Sequence, residues 1–169
     1  DVIDNAQARR GRAAVGRKYG TAPAILAGDW LHARSLYLVG RFAGPEGLAV
    51  FCRSTTGMVD GEFLQLSHVA DSTLTEEQYF AIILRKTALL IASTCEIGAI
   101  FAGASAERRA ALAEYGSKLG TAFQVIDDLL DYQGDAGSTG KQTGNDFIEG
   151  KLTLPLLRAL ARAEAPARA

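Results

Sequence analysis

The sequence predicts an all-α fold in which 169 residues form one domain. Long Ala/Leu-rich segments run without the alternation of apolar and polar residues that is typical of strands. Glycine, proline and helix-capping residues fall between these segments, where helices are expected to begin and end. Apolar residues make up 48% of the chain and charged residues 22%, which is ordinary for a globular domain that buries one core. We therefore expect a helical bundle.

Each predicted helix has its own start or stop signal. Gly44-Pro45 should separate the first two helices, because an α-helix tolerates proline only in its first turn. Thr75 and Gln78 have the spacing of a capping box, and Ser105 is a suitable cap for the next helix. The predicted helices cover residues 21–42, 46–67, 75–102 and 106–132.

The C-terminal part is less regular in sequence. Residues 134–140 are too rich in glycine for regular structure and are expected to form a loop. A further helix should begin near Asn145 or Asp146. Pro155 then marks either a break or the first turn of one more helix.

Composition excludes several function classes. A net charge of −1 gives no reason to expect nucleic acid or a strongly anionic membrane as partner. Residues 81–103 are apolar but contain Arg85, Lys86 and Glu96, which favours a buried helix over a membrane span. Cys52 and Cys95 lack metal-ligand spacing and are expected to be buried, reduced thiols of a cytoplasmic protein. The histidines, His32 and His68, are expected to be structural or surface residues.

An acidic cluster lies within one predicted helix. Asp127 and Asp131 are four residues apart and share a helix face, with Asp128 about 100° away. Three carboxylates beside apolar residues repel one another unless a cation neutralises them. Oxygen-only ligands suit Mg²⁺, which usually takes its other ligands from water and phosphates. The alternative is an acidic patch at a helix end.

A second acidic cluster opens the chain. Asp1 and Asp4 are three residues apart, which would place them on one face of a helix, and Arg9, Arg10 and Arg12 follow closely. A surface network of ion pairs is one interpretation. The other is a polyphosphate site, in which metal ions held by the carboxylates bridge to phosphates that the basic residues also bind.

These motifs resemble, in order and over nearly the whole chain, those of the trans-isoprenyl diphosphate synthase (polyprenyl synthetase) family. The matching stretches are Asp1-Val2-Ile3-Asp4 leading into Arg9-Arg10-Gly11, Leu26 to Leu31, Gly61 to Leu66, Arg85-Lys86-Thr87, Phe123-Gln124, Asp127 to Asp131, Gly140 to Asp146 and Glu149 to Pro155. The resemblance implies an isoprenoid synthase-like helical bundle with a central cavity. It also implies Mg²⁺-dependent head-to-tail prenyl transfer, in which isopentenyl diphosphate is joined to an allylic diphosphate and pyrophosphate is released.

The resemblance further implies residue roles. The metal ligands would be Asp4 and Asp127, with Asp128 and Asp131 acting directly or through water and Asp1 lying further from the metal. Lys86, Thr87 and Gln124 would serve catalysis, the last two by stabilising an allylic carbocation. The substrate-binding residues would be Arg9, Arg10, Lys86, Lys141 and Lys151.

Four of these residues have structural alternatives. Lys86 projects from a largely apolar helix face and needs either an anionic ligand or a carboxylate partner. Thr87 and Gln124 suit ordinary hydrogen bonding between helices. Lys151 is also explained as a charge at a helix terminus.

The remaining expectations concern the whole protein. Because the sequence starts inside the first aspartate motif, we expect residues 1–169 to be one partial catalytic domain that is inactive alone. The resemblance implies a cytoplasmic homodimer with at most peripheral membrane contact. The amino-acid sequence of residues 140–155 resembles that of long-chain bacterial synthases and favours such an enzyme. A short-chain farnesyl or geranylgeranyl synthase, or a non-catalytic subunit of a heteromeric synthase, remains the alternative.

Overall fold

The computed structural model describes residues 2–3, 7–9, 11–133 and 144–163 and confirms the all-α prediction. The helices are α1 (Val15–Tyr19), α2 (Thr21–Ser67), α3 (Glu76–Ile83), α4 (Leu89–Phe101), α5 (Ala106–Gln133), α6 (Asn145–Ile148) and α7 (Leu154–Arg162). A π-helical turn, Leu84–Ala88, joins α3 to α4.

The N-terminal segment contains a small hairpin that the sequence did not predict. Strand β1 (Ala8–Arg9) pairs antiparallel with β2 (Arg12–Ala13). Gly11 lies in the turn with φ of 72°, a conformation that glycine adopts at little cost. The helix face predicted for Asp1 and Asp4 lies outside the described residues.

Helix α2 is interrupted where the sequence predicted a break. Gly44 has φ 65° and ψ −163°, which is not helical, and Pro45 follows as the first residue of the second half. The predicted division of residues 21–67 into two helices is therefore confirmed.

Helices α3 and α4 form the continuous segment predicted from Thr75. The Thr75 hydroxyl accepts a bond from the Gln78 N–H, and the Gln78 side chain accepts one from the Thr75 N–H, which completes the capping box. The π-helical turn within this segment is a departure from the predicted regular helix. It inserts a wider turn that re-aims the side chains beside it.

Glycines allow the helices around the π-helical turn to pack closely. A Cβ on Gly120 of α5 would lie 2.6 Å from Ala88 Cα, and one on Gly116 would lie 2.7 Å from Ala92 Cα. On the other side, a Cβ on Gly61 of α2 would lie 2.7 Å from the Lys86 backbone nitrogen. Helices α2 and α5 thus hold the π-helical turn between them.

The hydrophobic core lies where α3, α5 and α7 meet. It contains Leu74, Tyr79, Ile82, Ile83, Leu154 and Leu157. Pro155 occupies the first turn of α7, which confirms the second of its two predicted roles. Other apolar residues lie at the surface, including Trp30, which is 65% exposed.

Both cysteines are free, as predicted, although Cys52 is exposed rather than buried. This stretch of α2 is at the surface, since the neighbouring Arg53 is exposed as well. No described helix is both long enough and apolar enough to cross a membrane.

Candidate active site

A cavity of about 220 Å³ lies among α2, α3, the π-helical turn, α5 and the segment that follows α6. Leu74, Ile82, Ile83 and Leu152 form its apolar wall. Its polar lining consists of Gln65, His68, Tyr79, Lys86, Thr87, Gln124, Asp127, Asp128, Asp146, Lys151 and Thr153. Most of the site residues predicted within the described ranges are therefore brought together in one place.

The π-helical turn explains why Lys86 and Thr87 both line the cavity. In an α-helix adjacent residues point about 100° apart. The wider turn of a π-helix reduces this angle, so two neighbouring side chains can face the same space. Gly61 lets α2 lie directly against this turn.

Lys86 is held by two acceptors from α2. Its ammonium group lies 2.8 Å from Glu62 Oε2 and donates a hydrogen bond of 3.0 Å to Gln65 Oε1. The carboxylate partner that the sequence left open is therefore present. A lysine has three N–H groups, and among the described residues two are used, so one can still serve an anion in the cavity.

Thr87 and Gln124 are joined by a hydrogen bond between the π-helical turn and α5. The Thr87 hydroxyl donates to Gln124 Oε1 over 2.9 Å, and the Gln124 amide donates to Asp128 Oδ1 over 2.7 Å. The Tyr79 hydroxyl donates to the other oxygen of Asp128 over 2.6 Å. Four side chains from α3, the π-helical turn and α5 thus form one connected network.

Asp128 is buried in this network. Burial raises its pKa above the ordinary value, and the charges of Asp127 and Asp131 raise it further, whereas the bonds from Tyr79 and Gln124 lower it. Burial and the bond to Asp128 raise the pKa of Tyr79 well above its usual range, so its phenol remains a donor.

Asp131 connects α5 to the N-terminus of α6. Its carboxylate accepts backbone N–H groups from Asn145 at 3.3 Å and Asp146 at 3.0 Å. Asp146 consequently lies near Asp131 and Asp128. Burial, followed by the charges of those two carboxylates, raises the pKa of Asp146 to about 6.

The carboxylates fit a hard divalent cation by their chemistry. Within the described residues, no three His, Cys, Asp or Glu side chains come together as a complete metal site. However, burial and, after it, like charges raise the pKa values of Asp128 and Asp146, and a cation beside them would relieve the repulsion between the charges. To the described residues, Asp128 and Asp131 each use two of about four lone-pair positions for hydrogen bonds, so with respect to this part of the chain both retain oxygen ligands to offer.

Lys151 also lines the cavity, and its ammonium group lies 2.6 Å from Glu149 Oε2. Asp1, Asp4, Arg10 and Lys141 lie outside the described residues, as does the side chain of Arg9.

The sequence did not single out Tyr79, Glu62 or His68 as site residues. Tyr79 lies seven residues before Lys86, a spacing that places both residues on the same side of a helix. The sequence therefore contained a signal that Tyr79 lies near the site. His68 was expected to be structural or at the surface. It lies 3.3 Å from the Gln78 amide nitrogen and lines the cavity.

Comparison with known proteins decides the family. A sequence model of the polyprenyl synthetase family matches residues 1–169. The chain belongs to the polyprenyl synthetase family. Among curated family members, it is 41% identical over 160 residues to an octaprenyl diphosphate synthase of Escherichia coli, covering 95% of this chain and 50% of that protein. It is also 41% identical over 167 residues to a short chain isoprenyl diphosphate synthase of Methanothermobacter thermautotrophicus, covering 96% of this chain and 51% of that protein.

Solved structures of polyprenyl synthases have the same helical architecture. A polyprenyl synthase of Caulobacter crescentus, complexed with calcium and isoprenyl diphosphate, superimposes with a TM-score of 0.93 at 42% identity. The match covers 98% of this chain and 51% of that one. The chain thus spans about half the length of the relatives it matches.

Proposed function

We propose that the complete protein is a transferase that condenses isopentenyl diphosphate with an allylic diphosphate and elongates a trans-polyprenyl diphosphate. Pyrophosphate is the leaving group. The observation that carries this proposal is the cavity, where Asp127 and Asp128, the ammonium of Lys86 and the neutral oxygens of Thr87 and Gln124 meet. Family membership supports prenyl transfer.

The basic residues would bind the diphosphates. Lys86 is pre-oriented by Glu62 and Gln65, so its remaining N–H can donate to an allylic diphosphate oxygen without a search for the right rotamer. Lys151 approaches the same cavity from the segment after α6. We assign Arg9 and Lys141 to the allylic diphosphate and Arg10 to isopentenyl diphosphate, as the resemblance implies.

The polar neutral groups would stabilise positive charge. As the C–O bond of the allylic substrate breaks, its carbon becomes electron-poor. The oxygens of Thr87 and Gln124 are partial negative charges fixed in a partly buried site, where they stabilise such a carbon without trapping it covalently.

We assign Mg²⁺ to Asp4 and Asp127, with Asp128 and Asp131 acting directly or through water and Asp1 further from the metal, as the resemblance implies. When bound, the metal would supply Lewis-acid neutralisation of the leaving diphosphate. The described carboxylates support this by their all-oxygen chemistry and mutual repulsion. The calcium in the Caulobacter crescentus protein also supports a divalent-metal site.

Product length and assembly are finer proposals. We favour a long-chain product, because the similarity to the octaprenyl diphosphate synthase and the sequence of residues 140–155 both indicate a long-chain synthase. The short-chain relative is equally similar, so a short-chain product is the second candidate. We further propose a cytoplasmic homodimer that binds no nucleic acid and contacts membranes at most peripherally.

Incubation of the complete protein with labelled isopentenyl diphosphate, an allylic primer and Mg²⁺ tests the proposal. We expect Mg²⁺-dependent transfer of label to products of forty or more carbons, separated by chromatography. Products of fifteen or twenty carbons would favour the short-chain candidate. The absence of any elongation would contradict prenyl transfer, and light scattering of the same sample would show whether it is a dimer.

A further inference from the structure

The hydrogen-bond network beside the cavity ends at Tyr79, to which the resemblance gave no role. Tyr79 and Asp128 are only 3% and 4% exposed. Their hydrogen bond, at 2.6 Å, links α3 to α5 and joins two residues that lie 49 positions apart in sequence. Such a short bond between a phenol and a buried carboxylate is charge-assisted and strong.

The chemistry of the acceptors fixes the direction of every bond in the network. An ionised Asp128 can only accept, so Gln124 must turn its amide nitrogen towards it. The amide oxygen of Gln124 then faces Thr87. Because that oxygen also only accepts, the Thr87 hydroxyl must donate to it, and the hydroxyl proton is directed at Gln124 rather than at a ligand in the cavity.

We propose that Tyr79 is a positioning residue that holds Asp128 and Gln124 so that Thr87 offers oxygen lone pairs, rather than its proton, to the substrate. This inference rests on the proposed prenyl transfer. An electron-poor allylic carbon is stabilised by a lone pair and destabilised by an O–H proton. The direction of one hydroxyl therefore has a direct effect on the rate of ionisation.

Tyr79 is well suited to this task because its surroundings are rigid. It lies in the first turns of α3, which the capping box of Thr75 and Gln78 fixes at its start. Its ring packs edge-on against Phe80, with centroids 5.3 Å apart, and belongs to the core with Ile82 and Leu154. Its hydroxyl can move little without disturbing that core.

Tyr79→Phe in the complete protein tests the proposal, since it removes one oxygen and keeps the ring. Tyr115→Phe, an exposed phenol on α5, is the matched control. We expect Tyr79→Phe to lower kcat about 5- to 20-fold, with KM values for both diphosphates within about 2-fold, because the interaction acts on the transition state. Tyr115→Phe should retain wild-type kcat.

A double-mutant cycle with Thr87→Val separates positioning from a general structural role. If Tyr79 acts through Thr87, Tyr79→Phe should change kcat by less than about 2-fold in the Thr87→Val background. A loss of kcat in the double variant equal to the product of the two single losses would overturn the proposal. An unchanged kcat in Tyr79→Phe alone would overturn it as well.

Thr87→Val alone is a second variant should Tyr79→Phe fold poorly. It removes the oxygen through which Tyr79 is proposed to act, so kcat should fall at least about 5-fold with KM values within about 2-fold. An unchanged kcat in Thr87→Val would contradict the proposal. Absence of elongation by the wild type would contradict the proposed function and this inference together, whereas an active wild type with unaffected variants would contradict this inference alone.

Discussion

Lys86 lies at the centre of the site because α2 supplies it with two acceptors, Glu62 and Gln65. Partial burial of a lysine costs free energy unless its ammonium group has such partners. The pair stabilises the fold and also orients the ammonium group towards the cavity. A structural ion pair and a phosphate-binding role are thus compatible in one side chain.

Lys86→Met should impair substrate binding more than folding. A hydrogen bond to a charged group contributes about 1.5–3 kcal/mol, so we expect kcat/KM for the allylic diphosphate to fall about 10- to 150-fold. Lys118→Met is the control, since Lys118 is 76% exposed and pairs with Glu114 on the surface of α5. Equal kcat/KM values in the two variants, from steady-state kinetics, would contradict the assignment.

Asp146 gives a prediction for the pH dependence of stability. Its folded pKa of about 6 lies above the ordinary value of 3.8, so the folded state binds the proton more tightly. Its contribution to stability is therefore favourable below pH 4 and is lost as the pH rises through 6.

Asp146→Asn should consequently stabilise the metal-free protein at pH 7 but not at pH 4. We expect the free energy of unfolding at pH 7 to rise by about 1 kcal/mol. This is less than the free energy equivalent to the full pKa shift, because the carboxyl is partly exposed and screened by solvent. Urea unfolding in EDTA at both pH values measures this, with the exposed Asp60→Asn as control. The same gain at both pH values would show that carboxyl repulsion is not the cause.

Sequence reasoning reached some of these residues and missed others for a physical reason. Lys86, Thr87 and Gln124 stand in recognisable motifs, and the structure places them in one cavity. Their roles in the reaction stay predictions. Tyr79 and Glu62 act through contacts with partners 49 and 24 residues away, and only the packing of the helices brings such pairs together.

At the level of elements, capping and breaking residues were reliable guides. The capping box at Thr75, the break at Gly44 and the proline at the start of α7 all follow from local backbone chemistry. The π-helical turn has no comparable local signal. It depends on Gly61 and Gly120, which let α2 and α5 approach the backbone around Lys86 and Ala88.

Gly120→Ala should therefore destabilise the protein and reduce activity. The added Cβ would lie 2.6 Å from Ala88 Cα, a backbone atom that cannot move without shifting the π-helical turn. We expect a loss of about 1–3 kcal/mol of unfolding free energy, as for overpacked cores. Denaturant unfolding measures the loss, and steady-state kinetics should show a lower kcat because Lys86 and Thr87 are displaced.

Gly98→Ala is the matched control on α4. A Cβ there meets nothing within 4 Å, so alanine should be neutral or stabilise the helix by up to about 1 kcal/mol. Destabilisation of both variants to the same extent would show that the close approach at Gly120 is not the cause.

The whole chain corresponds to about half of a family member's length. Many large apolar side chains are exposed, among them Leu112, Leu119 and Phe123 on one side of α5. The cavity nevertheless receives residues from α2, α3, α5 and the segment after α6. We accordingly place the proposed activity in the complete protein.

The central claim is that Asp127 and its neighbours support metal-dependent prenyl transfer. Incorporation of labelled isopentenyl diphosphate by the complete wild-type protein and by Asp127→Ala tests it most directly, with Asp60→Ala as the exposed carboxylate control. We predict Mg²⁺-dependent incorporation by the wild type and the control, and a loss of about 100-fold or more in Asp127→Ala. Incorporation by Asp127→Ala at the wild-type rate, or by the wild type in EDTA, would contradict the account.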